Sequence, residues 1–378
     1  MTDTAFAPGT DGSHRAVSPG PERGRSATTL LCGQDYVADA AAAIGRARSR
    51  VRLTTLTIAR DGATERMIEA LIAAARRGVD VAVSADVFTF ADVAGSVLGP
   101  ATPTPRRRSA VELTQELEAA GVRMTWLGSP RGLLWRGRTH TKLTVVDDVA
   151  WSFGGVNLDA PGVRNVDYMV RVEDARTADA LAGLHDRITQ EGFSRAASTS
   201  VDVAAGRLLI DGGRPGDSAI YRAAVAWAAR AERVLHVSQY CPTGPLGRLL
   251  AARGDLWFNA PHRASPANGA LIASSMLATG HRSRYRRRRY LHAKALVFTM
   301  PDGLRVALTG SHNFVAAGVR LGTREIALET HDPTLIDQIE SFHRTEVAQK
   351  REPAHASALR STPHSHERMG PHSLVKAP

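Results

Sequence analysis

The sequence predicts an α/β fold built from two fused copies of one domain. Helical and strand patterns alternate along the chain in the β-α-β order of such domains. The same succession returns about 150–180 residues later, a period too long for a solenoid. Each half then ends in the same short pattern, a His-x-Lys strand followed by a hairpin and a Gly-x-x-Asn return.

Residues 35–48 read as an alanine-rich helix, and residues 50–58 (RVRLTTLTI) as a strand with period-two alternation. Residues 63–77 form an amphipathic helix stopped by Gly78, and residues 79–84 the next strand. In the second half, residues 218–230 match the first helix and residues 233–239 (RVLHVSQ) the strand at 50. Residues 245–253 lead through Gly254 into Leu256, Trp257 and Phe258, echoing residues 63–84. The join is expected at 196–205, a small-residue stretch after a helix over 176–190. Extra material at residues 88–137 and 261–290 is expected as loops framing a substrate entrance. Residues 1–27 and 351–378 are rich in Pro, Ser, Gly and His and are expected to be disordered. The domains are then residues 28–200 and 201–350.

Apolar residues make up 43% of the chain, which is enough for a real core. The net charge is +11 and the pI about 10.4, with arginine runs at 106–108 and 286–289. Such a surface attracts anions, whether phospholipid headgroups or nucleic acid; the bland alternative is a compositional habit of an arginine-rich chain. Cys32 and Cys241 are expected as buried free thiols. No run of about 18 apolar residues occurs, and residues 1–26 lack the apolar centre of a signal peptide. The expected location is the cytoplasm, with peripheral contact at the inner face of the membrane.

Only four residues are lysine among 48 cationic ones, and two of them sit in the repeated pattern. His140 and Lys142 are followed by Asp147 and by Gly154, Gly155 and Asn157. His292 and Lys294 are followed by Gly310, Ser311 and Asn313. In a strand, residues i and i+2 share a face, so each histidine projects beside its lysine. A neutral imidazole can attack phosphorus, and a protonated one can donate to the leaving oxygen. Lysine and asparagine donors can stabilise the non-bridging oxygens, so neither a metal nor another cofactor is expected. His236, His281 and His312 read as structural, and Trp135 and Trp151 as core.

The two motifs resemble the signature of the phospholipase D superfamily, His-x-Lys-x4-Asp followed by Gly-[Gly/Ser]-x-Asn. The first copy, HTKLTVVDDVAWSFGGVN, matches in full. The second has Thr299 where the aspartate is expected, and its lysine-to-glycine spacing is 16 against 12. The extra residues include the turn Pro301, Asp302 and Gly303. The resemblance implies two mixed β-sheets flanked by helices, pseudo-two-fold symmetry and one active site at the interface. It implies a ping-pong reaction through a phosphohistidine, with His140 as nucleophile and His292 as general acid. The reverse assignment stays open, because the motifs are nearly symmetric. It also implies that Asp167 and Glu325, ten and twelve residues after Asn157 and Asn313, hold the far nitrogen of the active histidines. The site residues are thus His140, Lys142, Asp147, Asn157, Asp167, His292, Lys294, Asn313 and Glu325. The order of motifs resembles bacterial cardiolipin synthases, which implies phosphatidyl transfer on an anionic phospholipid. A phosphodiesterase acting on nucleic acid is the alternative, and a non-catalytic anion-binding module a further one.

Overall fold

The computed structural model describes residues 27–90, 104–128, 138–192 and 195–349. The tails expected to be disordered lie outside these residues, except that Ala27 opens a strand. The first half runs β1 (Ala27–Cys32), α1 (Gly33–Gly45), β2 (Arg50–Thr55), α2 (Glu65–Arg76) and β3 (Asp80–Asp86). It continues through α3 (Pro105–Ala119), β4 (Arg123–Leu127), β5 (Leu143–Val146), β6 (Val149–Ser152), α4 (Ala160–Arg164), β7 (Tyr168–Glu173) and α5 (Ala175–Glu191). The second half runs β8 (Thr199–Val203), β9 (Gly206–Gly212), α6 (Ala219–Arg230), β10 (Arg233–Val237), α7 (Gly244–Arg253) and β11 (Gly254–Trp257). After it come α8 (Pro266–Thr279), β12 (Ala295–Thr299), β13 (Arg305–Gly310), α9 (Ala316–Leu321), β14 (Arg324–Thr330) and α10 (Pro333–Phe342).

The strands form two seven-stranded mixed sheets, ordered β1-β7-β6-β5-β2-β3-β4 and β11-β10-β12-β13-β14-β9-β8. Six strands correspond one to one: β1, β7, β6, β5, β2 and β3 match β9, β14, β13, β12, β10 and β11. The sense of pairing agrees as well. β2 and β3 are parallel, as are β10 and β11, and the neighbours linking β5, β6 and β7, or β12, β13 and β14, are antiparallel. The chain is a duplicated α/β domain, and β4 and β8 are the unmatched strands.

Sequence pattern explains these elements. α2 buries Met67, Ile68, Leu71 and Ile72 on one face, and Gly78 after it takes a positive φ that a side chain would strain. α1, α2 and α3 cover the outer face of the first sheet around Ile44, Leu53 and Met67. Burying each such side chain contributes about 2 kcal/mol. α6, α7 and α8 cover the second sheet around Phe258, Leu296 and Phe298. Between the sheets lies a shared core to which α5 and α10 contribute Leu181, Leu184, Leu335 and Ile339.

One expectation changes. The segments at 88–137 and 261–290 are not merely loops, since they contain α3 and α8. Each helix opens on a capped Thr-Pro or Ser-Pro step: Thr104 accepts from the Arg107 amide, and Ser265 from that of Asn268. Those steps were visible in the sequence. The second sheet begins with β8 at Thr199, and Ala196 forms a bridge with Gly213.

Candidate active site

The two His-x-Lys segments enter their sheets beside the opposite half. Thr139 forms a parallel bridge with Arg324, and Leu291 one with Val166. The His140 amide donates to the Arg324 carbonyl at 2.8 Å, and the His292 amide to the Val166 carbonyl at 2.9 Å. Each histidine is therefore stitched to the residue just before the other half's carboxylate. The side chains follow: His292 Nδ1 lies 2.6 Å from Asp167 Oδ2, and His140 Nδ1 lies 3.0 Å from Glu325 Oε1. The pairing is reciprocal, and neither half completes a His–carboxylate pair alone. With Nδ1–H donating to the carboxylate, Nε2 of each ring is left to react.

Lys142 and Lys294 are buried, and each ammonium donates to the backbone carbonyl of its own motif's histidine. Burial lowers both lysine pKa values, that of Lys294 to about 7, against the pull of Asp167. Burial and then the Lys294 charge lower His292 to about 4, although Asp167 opposes this. Burial would raise Asp167, but the bond and charge of His292 outweigh it and hold the carboxyl below its usual range. At neutral pH the pair is an ionised Asp167 and a neutral His292. Glu325 is also held low, burial being outweighed by the His140 charge and bond.

The glycines are steric requirements. A Cβ on Gly155 would come within 2.5 Å of Asp167 Oδ2 and 3.0 Å of Lys294 Nζ. The Gly155 amide donates to Asp167 Oδ1 at 3.2 Å. In the other half the Ser311 hydroxyl donates to Glu325 instead. Gly-Gly and Gly-Ser thus support equivalent carboxylates by a backbone and a side-chain donor. Below the site, the Tyr168 hydroxyl meets Thr309 Oγ1, which donates to the Phe153 carbonyl and links the halves. Asn157 and Asn313 follow the two return strands, and their side-chain amide oxygens are buried with no partner among the described residues. Buried polar atoms are seldom left unpaired, so these amides have bonding capacity for a ligand.

Asp147 is a correction to the expected site. Its carboxylate accepts from the Ser49 hydroxyl and from the amides of Arg48, Ser49 and Arg50. Burial would raise it, but these bonds lower its pKa to about 2. It locks the α1–β2 connection to the β5–β6 turn, at the end of the strand away from His140. This explains why Thr299 can replace it in the second copy. Asp302 does not substitute for it, since its carboxylate caps its own turn at the Leu304 amide.

The arginine runs also change meaning. Arg106 pairs with Asp159, Arg287 donates to the carbonyls of Thr345 and Glu346, and Arg289 donates to those of Arg164 and Asn165. These arginines strap the chain together as much as they charge the surface. Trp151 is core, its indole N–H donating to Asp39, and Trp135 lies outside the described residues. Cys32 and Cys241 are free.

The sequence reading missed Asp86 and Arg138. The Asp86 carboxylate ends β3 and accepts from the Arg138 guanidinium at 2.6 Å and from the Thr139 amide at 2.9 Å. Arg138 stands two residues before His140, which was the available signal.

The pairs predict acid sensitivity. Between pH 6.5 and 4 the unfolded chain binds a proton at His292 that the folded chain refuses, so stability falls as pH falls. Asp167 and Glu325, held low in the fold, act in the same direction below their unfolded values. Urea unfolding should show a loss of about 2 kcal/mol from His292 alone between pH 7 and 4.5. A His292→Asn variant with an unchanged pH slope would contradict this origin.

Comparisons with known proteins agree with the duplicated architecture. Residues 41–188 match the family model described as cardiolipin synthase, PLD-like domain. Cardiolipin synthase B of Escherichia coli (strain K12) is 29% identical over 170 residues, 42% of this chain and 37% of that protein. Cardiolipin synthase B of Salmonella typhi is 28% identical over 174 residues, 43% of this chain and 38% of that one. The matches thus span little more than a third of these relatives' length. Among solved structures, phosphatidylserine synthase of Haemophilus influenzae Rd KW20 superposes with a TM-score of 0.61 at 14% identity. That match covers 85% of this chain and 86% of the other. Polyphosphate kinase from Porphyromonas gingivalis gives 0.54 at 15% identity, over 83% of this chain and 49% of the other. These likenesses establish the fold.

Proposed function

From the premise that this chain carries a phospholipase D-like domain of the cardiolipin synthase type, we propose that it is a phosphatidyltransferase acting on anionic phospholipid through a phosphohistidine. The observation that carries the proposal is the reciprocal pair of histidine–carboxylate contacts, each made across the halves. Two imidazoles with fixed tautomers, backed by two lysines, are what in-line displacement at phosphorus needs.

The asymmetry of the two histidines favours the reverse of the assignment drawn from resemblance. The His292 side chain is 12% exposed and its imidazole is neutral, while that of His140 is 28% exposed. In our reading Nε2 of His292 attacks phosphorus, and the bond from phosphorus to the leaving alkoxide breaks. His140 gives its proton to that oxygen. The acceptor hydroxyl then returns a proton to His140 and attacks phosphorus, breaking the P–N bond. Lys142, Lys294, Asn157 and Asn313 would stabilise the equatorial oxygens.

The lipid substrate rests on the family match and on the cardiolipin synthase relatives. Among the described residues no helix is long and apolar enough to cross a membrane. A bilayer substrate would place the working protein on the cytoplasmic membrane surface. The net charge of +11 favours a second reading, a phosphodiesterase on nucleic acid. Purified protein offered phosphatidylglycerol vesicles and, separately, single-stranded DNA in excess EDTA separates the two. We expect cardiolipin and glycerol from the vesicles, intact DNA, and no loss of activity to EDTA. Cut DNA with untouched lipid establishes the second reading, and a loss restored only by magnesium or zinc sinks the mechanism.

A further inference from the structure

The helix α8 carries no charged residue along its 14 positions. It buries Gly269, Ile272 and Ser275, with Ile272 packed into the core of the second half. The outward face shows Leu271, Ser274, Leu277 and four alanines, and Leu277 is 89% exposed. α3 stands between β3 and the first His-x-Lys as α8 stands between β11 and the second. Its outward face carries Arg108, Glu112, Glu116 and Glu118. A helix whose outer face meets only water is polar there, as α3 is. The apolar outer face of α8 is not explained by packing within the half it covers.

The helix lies at the end of its sheet that holds the candidate site. β12 runs antiparallel to β10 with Ala295 opposite Val237, so β10 and the parallel β11 finish where His292 and Lys294 enter. In the first turn of α8, Asn268 hydrogen-bonds Tyr290, two residues before His292. Past its last turn, His281 Nε2 donates to the Gly247 carbonyl at 2.9 Å, and Thr279 Oγ1 meets Cys241 Sγ just beyond β10. Both ends are thereby tied to the connections around the site.

Charge completes the pattern. No Asp or Glu occurs between Asp255 and Asp302, while arginine stands at 263, 282, 284 and 286–289. Arg282, Arg286 and Arg288, just past the Leu277 end of the helix, are exposed. An apolar helical face beside exposed arginines complements an anionic bilayer, with leucine entering the acyl boundary and guanidinium groups meeting phosphates. A second copy docked through this face would bring like charges together. A nucleic-acid backbone would match the arginines and leave the leucines in water.

Resting on the lipid substrate proposed above, we propose that α8 is the surface by which this protein docks on an anionic bilayer, Leu271 and Leu277 entering it and the arginines that follow lying on the headgroups. Docking there brings the site end of the sheet to the lipid.

Leu277→Asp tests the docking without touching the core. Leu304→Asp is its control, since Leu304 is 43% exposed in the β12–β13 turn at the far end of the sheet. Binding is read by co-sedimentation with mixed phosphatidylglycerol and phosphatidylcholine vesicles. Turnover is read on those vesicles and on monomeric dihexanoyl phosphatidylglycerol. We expect Leu277→Asp to weaken vesicle binding about 10-fold or more and Leu304→Asp less than about threefold, since only the first puts an anion at the bilayer in place of an inserted leucine. Turnover of vesicles by Leu277→Asp should fall with binding, while its turnover of monomeric lipid stays within about threefold of wild type. Equal losses in the two variants would mean a general charge effect and would overturn the docking surface. Unchanged vesicle binding by Leu277→Asp, with monomeric lipid still turned over, would overturn the docking surface alone; a dimeric wild type and a monomeric Leu277→Asp in light scattering would then give the face to a second copy. A wild type that turns over neither form of the lipid would overturn the substrate reading, and this assignment with it.

Discussion

His292→Ala should show no covalent phosphorylated enzyme and should lose about 10⁵-fold or more in turnover, the scale seen when a nucleophile is removed. The expectation follows from the depth of His292, its pairing with Asp167, and the burial and Lys294 charge that keep its imidazole neutral. Only a neutral ring offers a lone pair at Nε2. His140→Ala should behave differently. With bis(4-nitrophenyl) phosphate, it should still release one equivalent of 4-nitrophenolate. The intermediate should then persist, because deprotonation of the second-step nucleophile is lost. Mass spectrometry of protein quenched at alkaline pH would locate the adduct on His292. An adduct found on His140, present in His292→Ala and absent in His140→Ala, would restore the assignment implied by resemblance.

The second large effect concerns the carboxylates. Asp167→Asn should lower kcat by about 10³–10⁴-fold, because an amide no longer fixes the Nδ1–H tautomer or stabilises a developing imidazolium. Glu325→Gln should act similarly through His140. A double-mutant cycle tests which pairs act together. Because Asp167 touches His292 and Glu325 touches His140, adding Asp167→Asn to His292→Ala should cost little more than His292→Ala alone. Adding it to His140→Ala should cost nearly its full amount. Strong coupling of Asp167 with His140 instead would show that the carboxylates serve their own halves.

The legible part of this molecule was local. Residues 63–77 showed a helical stripe of Met67, Ile68, Leu71 and Ile72 because that face packs on a sheet, and a period of 3.6 survives any tertiary context. The repeated His-x-Lys and its glycine return were visible because they occupy one strand and one hairpin. The helices α3 and α8 have thin apolar faces, α3 burying only Ala110, Leu113 and Leu117, so periodicity does not mark them in the sequence. Their capped Thr-Pro and Ser-Pro starts were the better signal. Asp147 matches the motif that the resemblance implies for the site, but a motif position says nothing of where the side chain points. Four bonds to the 48–50 segment, 97 to 99 positions away in the chain, settle its structural role.

The sequence by itself therefore determined the duplication, the fold class, and which residue types stand ready for phosphodiester chemistry. The tertiary structure decided who works with whom. It crossed the halves, giving Asp167 to His292 and Glu325 to His140 through the bridges at Val166 and Arg324. It also made the pair unequal, leaving the His140 side chain 28% exposed and that of His292 12% exposed. The reason is physical. Strand period and turn chemistry are properties of neighbouring residues, whereas tautomer, charge state and burial depend on contacts between segments more than 100 residues apart, whose juxtaposition no local pattern encodes.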